Sequence, residues 1–118
     1  MSRELNPKYP VLIVDDDEHF LNSMKITLNS QGVTNVECCN NPLDVMRKLA
    51  EKKYSLIYLD IVMTGKRGDD LLSEILLKYP DIRVIMLTGL DEVETAVKCM
   101  KMGASEYFLK PGLKPKSG

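Results

Sequence analysis

The sequence predicts an α/β domain with a doubly wound, five-stranded parallel sheet. Short apolar runs alternate along the chain with longer segments in which apolar residues recur at helical spacing, the pattern typical of βαβ units. The length of 118 residues suits a single domain. Two apolar runs end directly in carboxylates, one in Asp15-Asp16-Asp17 and the other in Asp60. In a parallel sheet these strand ends share one edge, where such sheets place their ligand sites.

The first strand and helix are predicted between residues 11 and 32. Val11-Leu12-Ile13-Val14 has the length and apolar character of a buried strand, and the segment from about residue 18 to residue 31 has helical spacing. Asp17 is expected to cap this helix, and Gly32 is expected to stop it. The apolar face of the helix comprises Phe20, Leu21, Met24 and Leu28.

The second strand is predicted at residues 36–39 and the third at residues 56–59. Between them, Asn41 is expected to cap a helix that Pro42 opens, because proline is well tolerated in the first helical turn. The inward residues of this helix are Val45, Met46 and Leu49. A third helix is predicted from about residue 69 to residue 79, with Pro80 closing it. Its apolar residues are Leu71, Leu72, Ile75 and Leu76.

The last predicted elements are a strand at residues 84–87, a helix that ends at Gly103, and a strand at residues 107–109. The fourth helix carries Val93, Ala96, Val97 and Met100. Only a Gly, Pro and Lys-rich stretch follows, which is too short and too polar for a packed helix. We therefore expect three regions: a leader at 1–10, the domain at 11–111 and a flexible stub at 112–118.

The composition of the chain argues against several classes of function. Lys and Arg number 16 against 17 Asp and Glu, for a net charge of -1, which predicts that this domain does not bind nucleic acid directly. The sequence has neither an apolar stretch of membrane-spanning length nor a signal-peptide core, so a cytoplasmic location without membrane contact is expected. Cys38, Cys39 and Cys99 lack metal-ligand spacing and are predicted to be reduced. A Cys38–Cys39 redox pair is a less favoured alternative, since such a bridge is strained.

Polar residues with complementary chemistry lie at the ends of four predicted strands. They are Asp15 and Asp16, Asp60, Thr88, and Lys110. Carboxylates can hold Mg²⁺, while a hydroxyl and an ammonium can neutralise phosphoryl oxygens. One carboxylate can also act as the nucleophile. Each residue alone is more often a cap or a solvated charge, but their joint occurrence at four strand ends favours phosphoryl chemistry.

The chain resembles the response regulator receiver domains of bacterial two-component signalling over about residues 11 to 111. The motifs are Ile13-Val14-Asp15-Asp16-Asp17-Glu18, Leu59-Asp60-Ile61-Val62-Met63, Met86-Leu87-Thr88-Gly89 and Leu109-Lys110-Pro111. Residues 88–104 most resemble receivers of nitrogen-regulator-type transcription activators. The resemblance implies a flavodoxin-like fold with strand order 2-1-3-4-5.

The resemblance also implies a phosphoacceptor and a metal site. Asp60 would accept a phosphoryl group from a kinase phosphohistidine. Asp16 and the backbone carbonyl of Val62 would bind Mg²⁺ or Mn²⁺ together with Asp60, and Asp15 would act through a coordinated water. The domain would catalyse its own modification without being a turnover enzyme.

Three further residues receive roles from the resemblance. Lys110 would pair with the phosphate, Thr88 would hydrogen-bond it, and Tyr107 would change rotamer as Thr88 moves. The implied partners are a histidine kinase or phosphotransfer protein, an output domain in a longer chain that is expected to control transcription, and a second copy in a homodimer.

Three departures from the family pattern lead to expectations of their own. The family usually has proline four residues beyond the phosphoacceptor, where this chain has Thr64, so a freer loop is expected. Val62 and Leu90 flank the site and cannot orient water, so slow self-dephosphorylation is expected. The family's fifth helix is not recognisable after Lys110-Pro111. We therefore expect that the chain is a piece of a longer protein or that another chain covers the exposed sheet face.

Two other function classes stay open on the sequence alone. A haloacid-dehalogenase-like phosphatase also uses a strand-end aspartate with Thr, Lys and Mg²⁺, although His19 stands where that family has Thr or Val. A receiver-like interaction module that needs no phosphorylation is the second alternative. Lys66 and Arg67 are interpreted as a solvated charge pair in the loop after Asp60.

Overall fold

The computed structural model describes residues 6–110, which form a five-stranded parallel sheet with helices on both faces. The strand order is β2-β1-β3-β4-β5, as the resemblance to receiver domains implied. The strands are Val11–Val14 (β1), Val36–Cys39 (β2), Leu56–Asp60 (β3), Val84–Thr88 (β4) and Glu106–Leu109 (β5). The helices within the described range are Glu18–Ser30 (α1), Val45–Glu51 (α2), Gly68–Lys78 (α3) and Val93–Met102 (α4).

The sheet separates two apolar cores, because successive side chains of a strand point to opposite faces. In β1, Leu12 and Val14 pack in the larger core, and Val11 and Ile13 pack in the smaller one. The larger core also takes residues of α2, α3 and α4, and the smaller core takes the apolar face of α1. This two-sided burial explains why β1 is continuously apolar, as buried parallel strands are.

Helix α1 begins and packs as predicted. The Asp17 side chain accepts a hydrogen bond from the backbone amide of His19 at 2.9 Å, so it caps the helix. Leu21 and Leu28 are buried, with the other two residues of the predicted face partly buried beside them.

Two helices differ from the prediction. The helix expected to begin at Pro42 is divided into a 3₁₀ turn at Pro42–Asp44 and α2 from Val45. Helix α4 also follows a 3₁₀ turn, at Leu90–Glu92. Its buried residues are Ala96 and Cys99. Two of the apolar residues predicted for this helix, Val97 and Met100, are 41% and 36% exposed, and the buried face includes Cys99 instead.

The two ends of the described range differ in how they contact the rest of the domain. Asn6, in the predicted leader, accepts hydrogen bonds from the backbone amides of Thr34 and Asn35, each at 3.0 Å, and so joins residues 6–10 to the start of β2. At the other edge, Phe108 and Leu109 of β5 are 44% and 48% exposed. The predicted stub at 112–118 lies outside the described residues.

Candidate functional site at the carboxyl edge of the sheet

The register of the strands aligns the predicted site residues along one edge of the sheet. Val14 of β1 pairs with Leu59 of β3, so Asp15 and Asp60, the next residues, end adjacent strands. Thr88 ends β4 and pairs with Leu109 of β5, and Lys110 follows directly. The backbone amide of Lys110 donates to the Thr88 carbonyl at 2.9 Å. Four strand ends therefore supply one site, as expected for a parallel sheet.

Three polar side chains at this edge are buried in the part of the chain that the structure describes. Asp15 is fully buried, Asp60 is 5% exposed and Thr88 is 1% exposed. Aspartate is seldom buried without a partner, because burial removes the water that stabilises its charge. Asp15 Oδ1 accepts a hydrogen bond from the backbone amide of Asp17 at 2.9 Å. The site thus contains two carboxylates whose burial is energetically unfavourable. Such arrangements are common where ligands bind.

Burial changes the acidity of both aspartates. Removal from water and the negative charge of Asp15, opposed by Lys110, together raise the pKa of Asp60 to about 7. Burial also raises the pKa of Asp15, while Lys110 and the Asp17 amide counteract the rise. Without a cation, one of the two carboxyls therefore tends to keep its proton near neutral pH.

Lys110 supplies the positive charge of the site. Its Nζ lies 2.6 Å from Asp15 Oδ2 and 3.4 Å from Asp60 Oδ1. Burial alone would lower the pKa of Lys110, but the two carboxylates raise it above its usual value. On its other side, the ammonium lies 4.5 Å from the centre of the Phe20 ring, within cation–π distance. The ammonium is thus held between an aromatic face and two carboxylates.

The acidic residues fit a divalent cation. Asp15, Asp16 and Asp60 each offer a carboxylate oxygen, and these oxygens lie within 4.8 Å of one another. Asp15 Oδ2 is buried without a hydrogen-bond donor in suitable geometry, although Lys110 contacts it as an ion-pair partner. Oxygen-rich clusters of this kind suit Mg²⁺. Val62 follows two residues after Asp60 with its side chain 52% exposed, and its carbonyl stays a predicted ligand.

Thr88 and Tyr107 lie on the same face of the sheet. Tyr107 pairs with Met86, and Thr88 is two residues beyond Met86 on the same strand, so the three side chains share a face. The Thr88 hydroxyl donates to the carbonyl of Gly89 at 2.8 Å. Their predicted roles in switching stay predictions.

The loops around the site contain contacts that the sequence did not reveal. The Thr64 amide donates to Asp16 at 2.9 Å. Arg67 pairs with both Asp69 and Glu92, and Lys66 pairs with Glu74. Lys66 and Arg67, interpreted as a solvated charge pair, are 28% and 42% exposed, and each is in addition held in an ion pair. Phe20 was assigned only to the apolar face of α1, and no periodicity could have indicated its contact with Lys110.

Comparisons with known proteins agree with this geometry. The family model described as the response regulator receiver domain matches residues 11–116. An NtrX-like response regulator of Rickettsia bellii (strain RML369-C) is 40% identical over 103 residues, which are 86% of this chain and 21% of that protein. The transcriptional regulatory protein ZraR of Klebsiella oxytoca is 36% identical over 101 residues, covering 86% and 23% of the two chains. The chain thus spans about a fifth of the length of these curated relatives.

Comparison with solved structures also indicates similarity to response regulator receiver domains. A response regulator receiver domain protein from Clostridium thermocellum superimposes with a TM-score of 0.81 at 30% identity, covering 89% of this chain and 84% of that one. NtrX from Brucella abortus in complex with ADP gives a TM-score of 0.80 at 26% identity, covering 89% of this chain and 24% of that one. The predicted flavodoxin-like fold and the predicted likeness to nitrogen-regulator-type activators are both confirmed. Within residues 6–110, no helix has the length and apolar character needed to cross a membrane.

Proposed function

The chain belongs to the response regulator receiver family, and from this premise we propose that it is a phosphorylation-activated switch of a two-component system with Asp60 as its phosphoacceptor. One observation carries the assignment. Asp60 is a buried carboxylate at a strand end, with the Lys110 ammonium 3.4 Å away and the carboxylates of Asp15 and Asp16 beside it. The family match favours this function over the haloacid-dehalogenase-like phosphatase.

The proposed reaction is a phosphoryl transfer from a phosphohistidine. A carboxylate oxygen of Asp60 attacks the phosphorus, an O–P bond forms and the P–N bond to the donor imidazole breaks, with its electron pair leaving on the nitrogen. Lys110 offsets the charge of the phosphoryl oxygens, which is the main contribution a protein makes to this reaction. The donor would be a histidine kinase or a phosphotransfer protein. Since Asp60 is itself modified, the chain would catalyse its own phosphorylation and dephosphorylation without being a turnover enzyme.

Asp15, Asp16 and Asp60, with the Val62 carbonyl, would hold Mg²⁺ or Mn²⁺. The bound cation supplies charge neutralisation at the phosphoryl oxygens. The raised pKa of Asp60 supports this assignment, because the carboxylate must be deprotonated to attack and a nearby positive charge favours that form.

The proposed response to phosphorylation begins at Thr88. Its hydroxyl would exchange the Gly89 carbonyl, 2.8 Å away, for a phosphoryl oxygen. Tyr107, on the same sheet face, would change rotamer as the hydroxyl moves. The turn before α4 would then shift between two arrangements whose populations the phosphoryl group biases.

The whole protein is proposed to be a cytoplasmic transcription regulator. The names and greater lengths of the NtrX-like and ZraR relatives support an output domain in a longer chain. The near balance of basic and acidic residues supports an indirect role for the receiver, in which another domain contacts DNA. A homodimer is one way in which the changed surface would act on that domain.

Phosphorylation with acetyl phosphate and Mg²⁺, followed by intact-mass and peptide-mass spectrometry, tests the proposal. We expect one phosphate per chain on the peptide containing Asp60. Asp60→Asn should abolish the labelling, while Asp70→Asn, which removes an exposed carboxylate of α3, should leave it intact. A phosphate that survives Asp60→Asn would overturn the assignment of the phosphoacceptor. Absence of labelling in the unsubstituted chain would favour the phosphorylation-independent module.

A further inference from the structure

The backbone amide of Thr64 donates a hydrogen bond to the side chain of Asp16, with 2.9 Å between the nitrogen and Oδ2. The two residues are 48 positions apart in the sequence. Asp16 lies in the loop between β1 and α1, and Thr64 lies in the loop between β3 and α3. The bond therefore ties together two loops that both contribute predicted ligands of the cation.

This donor exists because residue 64 is not proline. Members of the family usually carry proline at this position, four residues after the phosphoacceptor, and proline has no backbone N–H to donate. The departure noted in the sequence thus does more than relax the loop. It places a hydrogen-bond donor opposite a carboxylate of the metal site.

The neighbours of Thr64 fix the direction of its amide. Met63 is 7% exposed and packs in the larger core, which anchors the chain immediately before Thr64. Gly65 has φ +97°, a left-handed conformation that glycine adopts without strain and that turns the chain immediately after Thr64. Asp16, in contrast, has an exposed side chain that water would leave free to rotate.

We infer that Thr64 is a positioning residue whose amide holds the Asp16 carboxylate where it can share a divalent cation with Asp15 and Asp60. The inference rests on the proposed function. A carboxylate has two oxygens, so Oδ2 can accept from the amide while Oδ1 is left for the cation. The bond to a charged acceptor is stronger than one between neutral groups. Hydrogen bonds that orient metal ligands typically change metal affinity by about 10- to 100-fold.

Two substitutions distinguish the effect of the Thr64 backbone amide from the effect of its side chain. Thr64→Ala and Thr64→Pro both lack the hydroxyl, but only proline also lacks the N–H, so Thr64→Ala is the reference. NMR titration with Mg²⁺ in the absence of a phosphodonor gives the dissociation constant of each. We expect Thr64→Pro to bind Mg²⁺ about tenfold more weakly than Thr64→Ala.

A backbone ester distinguishes the loss of the donor from the rigidity of proline. Incorporation of lactic acid at position 64 replaces the N–H of alanine with an oxygen and leaves φ unrestricted. We expect the same weakening of roughly tenfold as for proline. An ester variant that binds Mg²⁺ as tightly as Thr64→Ala would overturn the inference, even if Thr64→Pro bound more weakly.

Amide hydrogen exchange in the metal-free chain gives a second measurement that does not depend on the cation. The Thr64 amide should exchange slowly despite the exposure of that residue, and Asp16→Ala should accelerate its exchange. An unchanged rate in Asp16→Ala would also count against the inference. Failure of the unsubstituted chain to bind Mg²⁺ would instead remove the metal site of the proposed function, so the two ideas can fail separately.

Discussion

Arg67, in the loop before α3, forms an ion pair with Glu92, in the turn before α4, with 3.1 Å between Nη2 and Oε1. Arg67 Nε also lies 3.0 Å from Asp69 Oδ1, and the Thr95 hydroxyl donates to Glu92 Oε1 at 2.9 Å. The hydrogen bonds from Thr95 and Arg67 lower the pKa of Glu92. This network connects the loop after Asp60 with the loop after Thr88. It therefore joins the loop after the proposed phosphoacceptor to the turn that is proposed to shift on phosphorylation.

A double-mutant cycle tests this connection. Arg67→Met and Glu92→Gln should each destabilise the chain by less than about 1 kcal/mol, because the pair is partly exposed. Their coupling energy, measured by urea unfolding, should exceed that of Arg47 and Glu51, an exposed pair within α2 at 3.2 Å. Backbone amides of residues 89–92 should also exchange faster in Arg67→Met. Equal coupling in the two pairs would mean that the Arg67–Glu92 contact constrains nothing beyond an ordinary surface ion pair.

Phe20 should influence phosphorylation through Lys110. Its ring centre lies 4.5 Å from the ammonium, and a ring face attracts a cation without competing for its hydrogen bonds. This attraction should count for more in the transition state, where Lys110 has left Asp15 for a phosphoryl oxygen, than in the resting site, where Asp15 already neutralises the ammonium. Loss of about 1 kcal/mol of cation–π stabilisation in Phe20→Leu should slow acetyl phosphate labelling of Asp60 roughly fivefold.

Two variants control for packing in the Phe20 experiment. Phe20→Tyr keeps the aromatic face and should label nearly as fast as the unsubstituted chain. Met24→Leu changes the same partly buried cluster one turn further along α1, and it should have no effect on labelling. If Phe20→Tyr and Phe20→Leu labelled at the same rate, the ring would serve only as packing.

Most of the fold could be predicted from the sequence, as could the position of the candidate site at the carboxyl edge of the sheet. The apolar runs that end in Asp15 and Asp60 were sufficient to predict both carboxylates at one edge, because the carboxyl ends of parallel strands meet there. Prediction was weaker for α4, where Cys99 is buried and Val97 is exposed. A 3₁₀ turn at Leu90–Glu92 precedes that helix, and the apolar pattern indicates neither the turn nor the burial of Cys99.

Contacts between loops could not be predicted from the sequence. The Thr64–Asp16 hydrogen bond spans 48 positions and the Arg67–Glu92 bond spans 25, and both depend on loop conformations without any periodicity. The absence of proline at position 64 was a visible signal, but its meaning required a structure in which the amide has an acceptor. The contact of Phe20 with Lys110 could not be predicted either, since an aromatic residue on an apolar helix face is ordinarily part of the core.

Gly68→Ala should disrupt the site through the backbone. A Cβ at this position would lie 2.8 Å from the carbonyl carbon of Asp60 and 2.9 Å from Cα of Ile61, and backbone atoms cannot yield as a flexible side chain can. We expect destabilisation of about 1–3 kcal/mol or more and loss of Asp60 labelling. Urea unfolding and mass spectrometry measure the two effects.

Gly65→Ala is the matched control for this prediction. Gly65 has a left-handed backbone with φ +97°, but an added Cβ would meet only the Leu43 side chain at 3.9 Å. The cost should be the backbone strain alone, about 1–2 kcal/mol, and Asp60 should still be labelled. Normal labelling in Gly68→Ala would show that α3 can move away from Asp60 without harm to the site.

The lifetime of the phosphoryl group should depend on Val62. Its side chain is 52% exposed and that of Leu90 is 82% exposed, and neither can hydrogen-bond an attacking water. An amide at position 62 can do so, and a hydrogen bond worth about 1 kcal/mol would accelerate hydrolysis roughly fivefold in Val62→Asn. Val62→Leu, similar in size to asparagine but apolar, should decay as slowly as the unsubstituted chain. Equal decay rates for Val62→Asn and Val62→Leu in Mg²⁺ would contradict the prediction.

Stability of the metal-free chain should fall as the pH rises from about 4 to about 7. The folded state raises the pKa of Asp60 from 3.8 to about 7, chiefly through burial, so between these values the folded state retains a proton that the unfolded state has lost. The free energy of unfolding must then decrease with rising pH. Asp15 contributes in the same direction because its pKa is also raised. We expect a loss on the order of 1–3 kcal/mol, measured by urea unfolding in EDTA.

Other carboxylates act in a different pH range and do not obscure this effect. The folded state lowers the pKa of Glu37 and of Glu92 below 4.5, so their contributions are complete above that value and are lost only as the pH falls. Asp60→Asn should flatten the slope between pH 5 and pH 7 and make the chain more stable than the unsubstituted one at neutral pH. Saturating Mg²⁺ should also reduce the slope in the unsubstituted chain, because the cation favours the deprotonated carboxylate. If Asp60→Asn kept the full slope, the proton would have to reside on another group.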